Sequence, residues 1–136
     1  MAIKKAAPSE AKQRSKEVSV TAWIEDAFGK VLLVKQTAAK RLWSLPGGKV
    51  NTKESLQAAL EREVYAKTGV LIEKLKFAGI YDRPEKGALR VLFRARLKSG
   101  RLTRRPKEIE AIEFRTSLPR RVTPSAKFFW KKMFSE

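Results

Sequence analysis

The side chains able to do chemistry crowd into one stretch, Gly48 to Val70, where Glu54, Arg62, Glu63 and Lys67 stand among apolar residues and glycines. The 136-residue chain has no histidine and no cysteine. An imidazole base, disulfides and zinc sites built on either residue are therefore excluded. Carboxylates, lysines and hydroxyls remain. Carboxylates can hold a hard cation such as magnesium, which prefers oxygen ligands in octahedral geometry. Helical residues three and four positions apart share a face, so carboxylates at that spacing would converge on one ion; three and four positions after Glu63 this chain has Ala66 and Lys67.

The stretch resembles the Nudix box, G-x5-E-x7-R-E-U-x-E-E-x-G-U, where U is a bulky apolar residue. Gly48, Glu54, Arg62, Glu63, Val64, Gly69 and Val70 fall on pattern, and the adjacent glutamate pair does not. Similarity extends from about Val18 to Pro119, through Leu45-Pro46-Gly47-Gly48, Gly79-Ile80-Tyr81, Leu92-Phe93-Arg94-Ala95 and Glu108-Ile109 to Phe114. The resemblance implies an α/β fold, the Nudix-type α/β/α sandwich with a mixed sheet between helices. It also implies hydrolysis of nucleoside diphosphate derivatives at a phosphoanhydride bond. Magnesium or manganese is the implied cofactor, neutralising phosphate oxygens and orienting water, here at a weakened site.

By that resemblance Glu63 is the metal ligand, while Glu54 and Arg62 fix the loop-helix-loop geometry around it. Glu108 is a candidate to supply a missing ligand from outside the box. Its simpler reading is a solvent carboxylate balancing Arg104, Arg105 and Lys107. Glu61 cannot substitute, because two residues turn a helix by about 200°. Gly47 and Gly48 either admit a phosphate close to the backbone or only turn the chain. Lys67 also has two readings. It forms an ordinary surface i, i+4 pair with Glu63, which is the favoured one, or it replaces part of the metal's charge and holds a phosphate. Trp43 and Arg83 are the further substrate-binding candidates, Trp43 by stacking and Arg83 by charge. Arg41, Arg90 and Arg94 can serve phosphates too, and Phe77 and Tyr81 a base. Aromatic side chains are more often core than platform.

The elements that position these residues are legible in the pattern. Val18 to Ile24 alternates like a strand, Lys30 to Lys35 is a buried strand, and Leu42 to Leu45 is a short extended piece ended by Pro46-Gly47-Gly48. Asn51 to Thr68 reads as a helix capped by Asn51, with Glu54 completing a capping box, Leu56, Leu60 and Val64 inward, and Gly69 as the stop. Leu71 to Tyr81, Ala88 to Leu97 and Ile109 to Phe114 read as strands. Thr123-Pro124 opens a last helix with Ala126, Phe129, Trp130 and Met133 inward. The expected organisation is a basic flexible arm over residues 1–16 and one domain over 17–136.

Composition bounds the rest. Hydrophobic residues make up 43%, enough for a packed core. No run is long and apolar enough for a bilayer span or a secretory leader, so a cytoplasmic, soluble protein with no membrane partner is the default expectation. The net charge of +17 attracts polyanions without defining a site. The expected partner is a nucleotide or other diphosphate-containing small molecule. The sequence leaves open nucleic acid as a further partner and a homodimer as the assembly. Three functions compete: a Nudix hydrolase with weak, altered or lost activity, a non-catalytic nucleotide- or RNA-binding module, and an interaction domain with no nucleotide at all.

Overall fold

Residues 16–38, 40–103, 105 and 107–135 are described by the computed structural model. Strand β1 (Glu17–Ile24) is followed by β2 (Val31–Gln36), β3 (Trp43–Ser44) and β4 (Gly47–Lys49). Helix α1 (Leu56–Thr68), β5 (Val70–Arg83), a 3₁₀ turn (Pro84–Lys86), β6 (Ala88–Gly100), β7 (Ile109–Arg115) and α2 (Pro124–Phe134) complete the order. One sheet runs β4-β1-β6-β5 and the other β3-β2-β7. The first is mixed: β1 pairs parallel with β6, from Glu17↔Ala88 to Ile24↔Ala95, and antiparallel with β4.

Alternation along β1 explains the layering. Val20, Ala22 and Ile24 point to one side and join Ala59, Leu60 and Val64 of α1. Trp23 points to the other side and joins Ala126, Phe129 and Trp130 of α2. The sheet thus lies between two helices, as expected. Burying Trp23 or Phe129 contributes roughly 1.5–3 kcal/mol each. The Trp23 indole stays satisfied, donating to Glu25 Oε2 at 2.8 Å. Its ring meets Trp130 edge-on at 5.4 Å between centroids.

Strand boundaries agree with the sequence reading to within a few residues, and Gly69 ends α1 at φ +80°. Two expectations change. The box helix begins five residues later than expected, at Leu56, because Ser55 and not Asn51 is its cap: Ser55 Oγ accepts from the Ala58 amide at 3.0 Å. The Asn51 amide does donate to Glu54 Oε1 at 3.0 Å, but that contact closes a turn. Lys53, at φ +69°, takes the backbone out of the helical range. Leu97, which alternation sets on the face shared by Leu89, Val91, Phe93 and Ala95, is exposed where they are buried or partly buried. Of the basic arm assigned to residues 1–16, residues 1–15 lie outside the described residues. Lys16 pairs with Asp82 at 3.0 Å. Among the described residues no helix is long and apolar enough to cross a membrane.

The later helix start is testable. Ser55→Ala should lower stability by about 1 kcal/mol, and Asn51→Ala by clearly less, in urea unfolding followed by circular dichroism.

Candidate functional site

Two glycines bring the parts of the box together. Gly47 lies against Thr21 of β1, where an added Cβ would collide with the Val20 carbonyl. A Cβ on Gly48 would overlap the Glu63 carboxylate. The absence of both side chains is therefore a packing requirement as well as a turn preference. Ala22 N donates to Pro46 O at 2.9 Å and Val50 N to Val18 O at 2.9 Å, pinning the loop to β1 on either side of the pair.

Arg62 ties that loop to α1. Its guanidinium grips both oxygens of Glu54, at 2.8 and 2.9 Å, and donates to Glu63 Oε2 at 2.6 Å and to the Lys49 carbonyl at 2.9 Å. Arg62's hydrogen bonds and the Asn51 amide hold the Glu54 carboxyl at about 2, against an ordinary 4.5. The same carboxylates raise Arg62 further. Such forked geometry is rigid and fixes the start of the loop to α1.

Lys67 departs from the plain surface reading. Its ammonium lies 3.5 Å from Glu63 Oε1, the expected i, i+4 pair. It also donates to the Gly47 carbonyl at 2.5 Å, twenty residues away in sequence. The side chain is 24% exposed and lines a cavity of about 490 Å³. Ala66 is exposed and brings no ligand atom.

The carboxylate set does not fit a divalent ion. Arg62 engages one Glu63 oxygen and Lys67 faces the other. No group of three or more acidic side chains able to hold a metal forms among the described residues. Glu108 lines the cavity but completes no such group. A cation approaching Glu63 would meet the Lys67 ammonium, and like charges at contact distance repel strongly in a half-buried site.

The cavity lies between the two sheets and the start of α2. Arg83, Lys86, Arg90 and Lys67 line it, opposed by Glu17 and Glu108. Glu17 is drawn off by Lys49 at 2.9 Å. Arg83 is held by Glu85 at 2.5 Å and by the Tyr81 hydroxyl at 3.1 Å. Arg90 is half-buried and donates to Thr21 Oγ1 at 3.0 Å. Burial pushes its guanidinium below the ordinary value, with Glu17 acting the other way.

The other candidates scatter. Trp43 is half-buried in the α2-side core with Arg115 over its ring at 5.8 Å, and it does not line the cavity. Arg41 is held by Glu110 at the surface. Arg94 and Phe77 are exposed away from the cavity. Tyr81 does line it, and its ring packs on Phe128 at 4.7 Å. Gln36, Ser44, Thr123 and Ser125 line the cavity too, and sequence reasoning gave them no binding role. Ser44 lies beside the Pro46 turn and Thr123 and Ser125 at the start of the last helix, while Gln36 had no such signal.

A family model for the NUDIX domain matches residues 15–127. The chain belongs to the Nudix family. A MutT Nudix hydrolase from Burkholderia pseudomallei has the same fold, with TM-score 0.77 at 22% identity over 88% of this chain and 98% of that one. A MutT-like protein from Streptomyces ambofaciens is 29% identical over 99 residues, 73% of this chain and 63% of the relative. An 8-oxo-dGTP diphosphatase from Buchnera aphidicola is 36% identical over 59 residues, 42% of this chain and 48% of the relative. The chain thus spans less than two thirds of the length of both relatives. In this Nudix domain Gly48 packs on a Glu54-Arg62-Glu63 brace, with the Lys67 ammonium beside Glu63.

The depressed Glu54 carboxyl gives a sign for pH. Its folded value lies below its unfolded one, so its contribution is present above about pH 4.5 and lost as pH falls toward 2. Melting temperature should drop over that window, and the drop should be smaller in Glu54→Gln, in thermal melts across the acid range.

Proposed function

We propose that this Nudix domain binds a nucleoside diphosphate derivative in the cavity beside the box, and that metal-dependent phosphoanhydride hydrolysis is weak, altered or lost. The observation that carries the reading is Lys67. Its ammonium lies between the Gly47 carbonyl and Glu63, on the face where box carboxylates would gather a divalent ion. Family membership supports the ligand class, and the name of one relative, a diphosphatase of 8-oxo-dGTP, agrees with it. The cationic lining supports an anionic ligand. In this reading Gly47 and Gly48 admit the phosphates, Lys67, Arg83 and Arg90 supply charge, and Glu54 and Arg62 hold the scaffold. Glu63 and Glu108 are the remaining carboxylates through which residual magnesium or manganese activity would run.

A second reading has its own observation. Arg94, Arg96 and Lys98 alternate along β6, all exposed, with no ion pair among the described residues. Lys76 stands opposite Arg94. Glu73 stands opposite Arg96, so the ridge is basic on balance; it suits a nucleic-acid backbone, and that binding would weaken steeply with salt.

The test is phosphate or nucleotide release from a panel of nucleoside diphosphate derivatives with magnesium or manganese, beside Glu63→Ala. We expect turnover no more than about tenfold above the variant, a small effect next to typical enzymatic accelerations. Fast metal-dependent turnover abolished in Glu63→Ala would contradict the proposal.

A further inference from the structure

Building on that reading, we infer that the Lys67 ammonium is a tethered cation that binds a phosphate of the ligand directly, so that the site takes diphosphates without divalent metal. Charge balance is the first argument. Glu54 and Glu63 contact Arg62 and Lys67, and the four charges cancel. With glutamates at 66 and 67 the same face would carry four carboxylates against Arg62 and would need added cations. With Ala66 and Lys67 the cluster is neutral by itself and carries no net negative charge to draw magnesium.

The second argument is donor capacity. An ammonium has three N–H groups. One of Lys67's donates to Gly47 O and another faces Glu63, leaving one for a ligand. The two fixed contacts aim a side chain that would otherwise be floppy, and Lys67 lines the cavity alongside Gly47 and Gly48. The third argument is Arg90 in the same cavity. It donates to one hydroxyl, makes no ion pair among the described residues, and is disfavoured by burial. A bound anion would relieve that cost. Lys67 and Arg90 together suit a ligand with adjacent anionic groups, of which a diphosphate is the simplest.

A purely structural Lys67 would act on stability and leave affinity alone. The experiment is calorimetric titration of inorganic pyrophosphate and of ADP into the full chain, in EDTA and then in magnesium. The wild type should bind in EDTA within about twofold of its affinity in magnesium. Lys67→Met should weaken binding about tenfold or more, the loss expected for a hydrogen bond to a charged group. Ala66→Glu with Lys67→Glu should bind only when magnesium is present. Wild-type binding that requires magnesium, or an unchanged Lys67→Met, would overturn the inference. If ADP still bound in that case and Arg90→Met weakened it, the proposed function would stand. No binding of ADP or pyrophosphate under either condition would remove both. Should the Lys67 variants not fold, the wild-type amides of Gly47 and Gly48 and the Lys67 ammonium supply the readout by NMR. Their resonances should move on adding pyrophosphate in EDTA, and unmoved resonances would overturn the inference.

Discussion

Two missing side chains set the geometry of the site. Without a Cβ at Gly47 the chain can lie against Val20 and Thr21, and without one at Gly48 it can lie against the Glu63 carboxylate. Everything around the box follows from that approach. Strand β4 pairs with β1, Arg62 reaches the Lys49 carbonyl, and the Gly47 carbonyl comes within reach of α1. Close-packed interiors respond to a single added methyl group, so the glycine pair is needed for structure whatever the chemistry. Packing thus gives the Gly47-Gly48 part of the motif a structural role apart from any chemistry.

Given that scaffold, one residue changes the electrostatics. A carboxylate at position 67 would point at the Gly47 carbonyl and at Glu63, crowding oxygen atoms that only a cation could reconcile. An ammonium at the same place satisfies both partners itself. The Nudix fold then presents a neutral brace at one end of a cationic cavity.

Periodic and local signals carried much of the fold. The alternation of Val20, Ala22 and Ile24, the stripe Leu60 and Val64, and the Thr123-Pro124 start all correspond to observed elements. The box helix start was misread because Asn51-Glu54 and Ser55 offer rival caps four residues apart, and only Lys53's left-handed backbone decides between them. The Glu63–Lys67 pair was readable from spacing. The Gly47 carbonyl at Lys67 was not, because it depends on how a turn docks across twenty residues. Trp43 had the composition of a base platform, but packing draws it into the core beside α2. Arg90's burial followed from its place in β6 beside β1, a tertiary fact with no local sign.

The central claim is that a cation already occupies the place of the metal, and that cation is part of the chain. Its most direct test is a crystal grown with manganese chloride, with data collected where manganese scatters anomalously. The account predicts no anomalous peak between Glu63 and the Gly47 carbonyl, with Lys67 Nζ in hydrogen-bond contact with that carbonyl. A manganese peak there, with Lys67 swung away, would contradict it.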